Sequence, residues 1–106
     1  MKYKVMIVED QTMPRELFEL RIQASEHFEV ALSIDNAALA DVYCLRVPVD
    51  LILMDVVTRG GESGLDAAER IKRAFPRIKI IIVTSMPECS YLSRAREIGV
   101  ESFWYK

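Results

Sequence analysis

Short apolar segments recur along the chain, and the longer segments between them show helical spacing of their apolar residues. Within each short segment the apolar residues are consecutive, without the alternation of apolar and polar positions that marks a half-exposed strand. Consecutive apolar residues are typical of strands that are buried on both faces of a parallel sheet. The sequence therefore predicts five strands, at residues 4–8, 30–34, 51–54, 78–84 and 102–105.

Two helices are predicted in the first half of the chain. The first has Thr12 as its N-cap and Pro14 in its first turn, where a missing N–H leaves no helical hydrogen bond unmade. The second spans residues 36–45 and ends before Pro48. Their apolar residues are Leu17, Phe18, Leu20, Ile22 and Ala24 in the first helix, and Leu39, Val42 and Tyr43 in the second.

Two further helices are predicted in the second half. The third opens at Ser63, a serine cap followed three residues later by Asp66, and ends before Pro76. The fourth opens with a capping box over residues 85–88 and ends at Gly99, which supplies a residue with left-handed backbone. In the third helix, the residues predicted to face inward are Leu65, Ala68, Ile71 and Phe75.

The order of these elements predicts the fold. Strands that alternate with helices imply right-handed crossovers, which place helices on both faces of a parallel sheet. The predicted class is therefore α/β, with a doubly wound sheet of five parallel strands. No linker or internal repeat divides the sequence, and 106 residues are enough for one core. We expect a single domain over residues 1–106.

Composition and charge narrow the classes of function. Hydrophobic residues make up 51% of the chain and charged residues 28%, as in globular proteins. The formal net charge of −2 gives no general attraction to nucleic acid or to an anionic membrane, so we expect this domain to bind neither. Cys44 and Cys89 form no CxxC pair and are expected to be free, at least partly buried thiols of a cytoplasmic protein.

Charged residues directly follow the first, third and fifth predicted strands. Glu9 and Asp10 follow the first strand, Asp55 follows the third, and Lys106 follows the fifth. The carboxyl ends of parallel strands meet at one edge of the sheet, where such folds bind ligands. We therefore expect these four side chains to share one site.

Together with the segment Ile82-Val83-Thr84-Ser85, these residues resemble the signature of the response regulator receiver domain of two-component signalling. Thr84 lies 22 positions before Lys106 and Phe103 lies three positions before it, which are the spacings that receivers show. The resemblance extends from Tyr3 to the end of the chain. It implies a flavodoxin-like sheet with strand order 2-1-3-4-5.

The resemblance also implies a metal site. Glu9, Asp10 and Asp55 would repel one another if brought together, and a hard divalent cation would relieve that repulsion. By similarity to receivers, the cation is Mg²⁺, bound directly by Asp10 and Asp55, through water by Glu9, and by the backbone carbonyl of Val57.

Phosphoryl transfer is the chemistry that the resemblance implies. Asp55 would be the phosphoacceptor and a sensor histidine kinase the donor, with Lys106 offsetting charge on the transferring oxygens. Thr84 would donate its hydroxyl to the bound phosphoryl group, and Phe103 would turn inward with it, altering the surface of the fourth helix and fifth strand. Such a domain assists its own phosphorylation and dephosphorylation but is not an enzyme. Its usual output is a DNA-binding domain that regulates transcription.

Two features depart from the usual receiver pattern. Thr58 and Arg59 stand where most receivers have Met-Pro, and Gly64 comes one position later than the matching glycine, so we expect a one-residue insertion in the loop 56–64. Receivers also continue past the lysine into a fifth helix, whereas this sequence stops at Lys106. We expect either that the sequence is a fragment of a longer regulator or that another molecule supplies the cover of the missing helix. We expect the sheet face left uncovered, with the edge strand bearing Trp104, to drive self-association.

Two alternatives stay open on the sequence. A pseudo-receiver would keep the fold and act as a dimerisation or interaction module without being phosphorylated; the unusual loop favours it, and the intact acidic residues, Thr84 and Lys106 disfavour it. A phosphatase or a flavodoxin-like nucleotide binder fits less well. Val57 stands where phosphatases that form an aspartyl phosphate have a second acid, and no glycine-rich segment follows the first strand.

Overall fold

A parallel sheet forms the centre of the molecule. The computed structural model describes residues 1–58, 63–85 and 89–105. Its strands are β1 (Tyr3–Val8), β2 (Phe28–Ile34), β3 (Leu51–Asp55), β4 (Lys79–Thr84) and β5 (Ser102–Tyr105). All neighbouring strands are parallel, and their order is β2-β1-β3-β4-β5. The predicted doubly wound α/β fold and strand order are confirmed.

In the described part of the chain, helices lie between successive strands. They are α1 (Thr12–Gln23), α2 (Ala40–Arg46), α3 (Gly64–Ala74) and α4 (Cys89–Ile98), with a short 3-10 helix at Ala37–Leu39 before α2. None of the helices described is both long enough and apolar enough to cross a membrane. The capping box predicted before α4 includes residues 86–88, which lie outside the described residues.

Both faces of the sheet are apolar, because successive residues of a strand point to opposite sides. The face that packs against α1 buries Val5, Ile7, Leu53 and Val83. The opposite face, covered by α2, α3 and α4, buries Met6, Val8, Ile52, Met54, Ile80 and Ile82. This two-sided burial explains why the strands appear in the sequence as continuous apolar segments.

The apolar stripe predicted for α1 is only partly correct. Phe18 and Ile22, four positions apart and therefore on one side of the helix, pack against the sheet. Leu17 and Leu20 lie on another side and are exposed. Ala24 is the C-cap residue of α1 and is also exposed. Two aromatic or β-branched side chains, rather than five apolar residues, therefore attach α1 to the sheet.

The cap of α3 and the end of α4 agree with the prediction, whereas the N-cap of α1 differs from it. The N-cap of α1 is Gln11 rather than Thr12, and its side chain makes no capping hydrogen bond. The cap of α3 is confirmed, since the hydroxyl of Ser63 accepts a hydrogen bond from the N–H of Leu65 at 3.1 Å. Gly99 follows α4 with a φ of 88°, the left-handed conformation that was predicted for it.

The second predicted helix is shorter and begins differently. Asn36 caps a 3-10 turn, and the α-helix starts only at Ala40. The large residues Leu39 and Val42 are exposed, whereas the small residues Ala37 and Ala40 are fully buried. Ala37 and Ala40 belong to the core cluster, and Tyr43 is partly buried against it, so hydrophobicity alone does not identify the buried residues of this segment.

The two cysteines are free thiols, as predicted, but only one is partly buried. Cys44 in α2 is half-buried, and burial, with a smaller contribution from the nearby charge of Asp41, raises its pKa to about 11. Cys89, the first residue of α4, is exposed. The expectation of partial burial is therefore wrong for Cys89.

Candidate metal centre

The register of the central strands places the acidic residues side by side. Val8 at the end of β1 pairs with Met54 in β3, so the residues that follow them, Glu9 and Asp55, lie at the same level along the sheet. Asp10 comes next along the chain. One carboxylate oxygen from each of the three acids lies within 4.8 Å of the other two. The strand-end pattern thus placed these residues together correctly.

Burial makes this cluster unusual. Glu9 is 1% exposed and Asp55 is 6% exposed, while Asp10 is half-buried. Carboxylates removed from water and facing one another favour a bound cation, because like charges in a medium of low dielectric constant repel strongly. Three carboxylate oxygens suit a hard divalent cation such as Mg²⁺, which prefers oxygen ligands.

Backbone contacts fix the position of Glu9. Its N–H donates to the carbonyl of Ile34 at 2.9 Å, and its carboxylate accepts from the N–H of Gln11 at 3.3 Å. The guanidinium of Arg15, in the first turn of α1, donates to the backbone carbonyl of Glu9 at 3.2 Å. The sequence analysis did not identify Arg15. The available signal was its position near the start of the first predicted helix, four residues after Gln11.

The chain leaving Asp55 is held close to the start of α3. The carbonyl of Val56 accepts from the N–H of Gly64 at 2.7 Å, and Val57 forms an antiparallel bridge with Ser63. The Val57 side chain is exposed. These contacts bring together the two ends of the loop in which an insertion was predicted; residues 59–62 lie outside the described residues.

Thr58, the next residue, was noted in the sequence only as a departure from the usual pattern. The structure buries it to 5% exposure, and its hydroxyl oxygen accepts a hydrogen bond from the N–H of Ala37 at 3.0 Å. The loop after Asp55 is thereby attached to the segment that precedes α2.

Thr84 ends β4 next to the acidic cluster, since its neighbour Val83 pairs with Asp55. Thr84 is 1% exposed. Phe103 in β5 is partly buried against the core and meets the ring of Tyr105 edge-on, with ring centres 5.5 Å apart.

Lys106, the fourth predicted member of the site, lies outside the described residues. Its neighbours Trp104 and Tyr105 are largely exposed, at 49% and 57%. As the edge strand, β5 pairs only with β4 among the described strands, and half of each ring meets solvent.

Comparison with known proteins identifies the family. A family model described as the response regulator receiver domain matches residues 5–106. The chain belongs to this family. Receiver domains act in two-component systems, generally bind Mg²⁺ at an acidic pocket and are phosphorylated by histidine kinases. This structure has an acidic cluster formed by Glu9, Asp10 and Asp55.

Curated relatives of this receiver are longer than the chain. Fimbriae Z protein of Escherichia coli (strain K12) is 29% identical over 99 residues, which cover 93% of this chain and 47% of that protein. Oxygen regulatory protein NreC of Staphylococcus haemolyticus is 28% identical over 103 residues, or 97% of this chain and 48% of that protein. The receiver thus spans about half the length of the curated relatives it matches.

Solved structures share the fold closely. A DNA-binding response regulator of the LuxR family from Staphylococcus aureus superimposes with a TM-score of 0.89 at 25% identity, covering 97% of this chain and 85% of that chain. A CheY-like receiver domain protein from Methanospirillum hungatei JF-1 gives a TM-score of 0.90 at 19% identity, covering 100% and 82%. The second likeness shows the common fold of the receiver.

Proposed function

We propose that this receiver accepts a phosphoryl group on Asp55 from a phosphohistidine of a sensor histidine kinase. A carboxylate oxygen of Asp55 bonds to phosphorus, the phosphorus–nitrogen bond breaks, and its electron pair stays with the imidazole of the kinase. The observation that carries the proposal is the convergence of three carboxylates at the ends of β1 and β3, with Asp55 buried among them.

A bound Mg²⁺ would offset the negative charge on the phosphoryl oxygens. We assign Asp10 and Asp55 as direct ligands, the backbone carbonyl of Val57 as a further ligand, and Glu9 as a ligand through water. The donor set supports this assignment, since it consists of oxygen atoms only and brings net negative charge to one place.

The remaining site residues would stabilise the bound phosphoryl group and change the protein surface in response to it. We assign Lys106 to neutralise its oxygens and Thr84 to donate a hydroxyl hydrogen bond to it. The burial of Thr84 beside Asp55 supports its role, because a hydroxyl there can be drawn toward the new charge. Phe103, half-buried in the neighbouring strand, would then turn inward and change the surface formed by α4 and β5.

The receiver in this proposal is a phosphoacceptor that assists its own phosphorylation and dephosphorylation, and it does not turn over a substrate as an enzyme does. It would act in the cytoplasm. A DNA-binding output domain in the same protein would regulate transcription, as the length of the curated relatives and the name of the LuxR-family neighbour suggest. The net charge of −2 leaves DNA binding to that other domain.

Self-association is the final element of the proposal. Trp104 and Tyr105 expose apolar rings on an edge strand, where a second copy could cover them. Sedimentation velocity over a range of concentrations tests this. We expect dimers that Trp104→Ser weakens, and a monomer at every concentration would contradict it.

Phosphorylation itself is tested with a small phosphodonor. Wild-type protein incubated with Mg²⁺ and acetyl phosphate should gain one phosphoryl group, seen as a mass increase, and beryllofluoride should change the fluorescence of Trp104. Asp55→Asn should abolish both. Asp41→Asn is the matched control, because Asp41 lies on α2 in an ion pair with Arg70 and outside the acidic cluster.

The outcomes separate the two functions. An adduct that depends on Asp55 and Mg²⁺ supports the phosphoacceptor. A wild-type protein that gains no phosphoryl group and shows no fluorescence response would favour a pseudo-receiver that acts only as an interaction module.

A further inference from the structure

The loop that follows Asp55 has an attachment that no part of the proposed chemistry uses. Thr58 lies three positions after Asp55 and is almost fully buried. Its hydroxyl oxygen accepts a hydrogen bond from the N–H of Ala37 at 3.0 Å, and the two residues are 21 positions apart in the sequence. Ala37 is itself fully buried, so water cannot replace this partner without opening the structure.

Ala37 begins the 3-10 helix, and the first N–H groups of a helix have no partner inside it. Two side chains satisfy them. The amide oxygen of Asn36 accepts from the N–H of Ala38 at 2.9 Å, and Thr58 accepts from the N–H of Ala37. The first cap is local to the helix, whereas the second comes from the loop after Asp55. One short helix therefore contains both the contact of interest and a matched control.

The backbone around Val57 is held on both sides. On one side, the carbonyl of Val56 accepts the N–H of Gly64 at 2.7 Å. On the other side is Thr58 with its bond to Ala37, and Val57 itself bridges to Ser63. The hydroxyl of Thr58 is the one of these contacts made by a side chain, so a substitution can remove it without altering the backbone.

We propose that Thr58 is a positioning residue for the metal centre: its hydrogen bond to Ala37 holds the backbone of Val57 where the Val57 carbonyl can bind the cation. This inference rests on the proposed function, which assigns that carbonyl to Mg²⁺. Groups that orient metal ligands without touching the metal commonly change its affinity strongly. Because coupling between two sites is reciprocal, cation binding must in turn strengthen the bond between Thr58 and Ala37.

Titration of the unphosphorylated protein with MgCl2 alone, followed by calorimetry, tests the first half of this statement. Thr58→Val keeps the shape of the side chain and removes the hydroxyl, and we expect it to weaken Mg²⁺ binding by about 10-fold. Thr58→Ser should restore most of the affinity. Asn36→Ala removes the neighbouring cap of the same helix and should leave the affinity within about 2-fold of wild type.

Amide hydrogen exchange of the wild-type protein tests the second half and needs no variant. Saturating Mg²⁺ should slow exchange at Ala37 several-fold more than at Ala38, whose partner is Asn36. This measurement decides the matter even if Thr58→Val fails to fold. Equal responses of the two amides would overturn the inference.

Other outcomes are equally decisive. Wild-type affinity in Thr58→Val, or an equal loss in Asn36→Ala, overturns the role of Thr58 while leaving the phosphoacceptor function in place. A wild-type protein that binds no Mg²⁺ and forms no adduct at Asp55 overturns both.

Discussion

Gly64 lies against the backbone of Asp55, so closely that a Cβ atom at Gly64 would overlap the carbonyl oxygen of Asp55. The same atom would come within 2.8 Å of the Asp55 carbonyl carbon and 2.9 Å of Cγ of Met54. Gly64 is the first residue of α3, and its N–H donates to Val56. The start of α3 therefore packs directly on the strand end that carries the proposed phosphoacceptor. The glycine that appeared displaced by one position in the sequence has a steric reason to be where it is.

Gly64→Ala should therefore destabilise the protein and disturb the site together. The obstruction consists of backbone, which cannot rotate away, so we expect a loss of about 2–3 kcal/mol in the free energy of unfolding by urea. Gly99→Ala is the comparison. The structure leaves open space around Gly99, so the loss there, about 1 kcal/mol, comes only from the positive φ. Equal losses at the two glycines would refute the steric argument.

Removing one charge from the acidic cluster should stabilise the protein when no divalent cation is present. Asp10→Asn relieves repulsion with Glu9 and Asp55, and we expect a gain of about 1 kcal/mol, or about 4 °C in the melting temperature, in EDTA. Mg²⁺ should raise the melting temperature of wild type and have little effect on the variant. Thermal melts with EDTA and with MgCl2 measure both. A variant less stable than wild type in EDTA would contradict the proposed repulsion.

The ion pair between α3 and the start of β5 should make stability depend on acid pH. Glu101 accepts hydrogen bonds from Lys72 at 2.8 Å and from the N–H of Ile80 at 2.7 Å. Partial burial opposes ionisation, but these bonds outweigh it and lower the pKa of Glu101 below its usual 4.5. A depressed pKa stabilises the fold above the ordinary value, and the contribution disappears as pH falls through the folded value.

Glu101→Gln should therefore lower the free energy of unfolding by about 0.5–1 kcal/mol at pH 7. The difference from wild type should disappear as the pH falls through the lowered pKa of Glu101, below 4.5. Urea unfolding across this range measures it. Glu29→Gln is the control, because Glu29 meets Lys4 at 3.8 Å with both side chains more than 40% exposed. We expect that variant to match wild type at neutral pH.

The two thiols should differ in reactivity. The raised pKa of Cys44, about 11 against an ordinary 9.0, leaves about 100-fold less thiolate at neutral pH than an ordinary thiol has. Cys89 is exposed. Labelling with a disulfide reagent at pH 7.5 should proceed quickly in Cys44→Ser, which retains Cys89, and slowly in Cys89→Ser. Comparable rates would show that α2 opens readily.

Strand positions and the acidic cluster were predictable because both follow from short-range patterns. Each apolar segment in the sequence became a strand, and Glu9 and Asp55, which follow the first and third segments, lie side by side at the sheet edge. Ser102–Tyr105 was predicted to the residue. Parallel pairing then places Glu9 beside Asp55 with no further information. Charged residues that directly follow apolar segments therefore predict which side chains lie together at the edge of a parallel sheet.

What could not be predicted depends on partners distant in sequence. No residue near Thr58 in the sequence indicates that its hydroxyl accepts a hydrogen bond from Ala37. Leu17 and Phe18 are both apolar, and the sequence of α1 does not show which of them packs against the sheet. In the second helical segment, Ala37 and Ala40 are fully buried whereas the larger Leu39 and Val42 are exposed, so hydrophobicity alone could not select the buried positions.

The ladder between β1 and β3 has a consequence for how this chain can change through evolution. The spacing of the three acids is fixed by strand pairing, and the bridge from Val57 to Ser63 closes the loop just beyond Asp55. Residues can therefore be gained or lost between positions 58 and 63 without shifting the acids relative to one another. Natural variation in that stretch can therefore change the loop while the arrangement of the three acids stays the same.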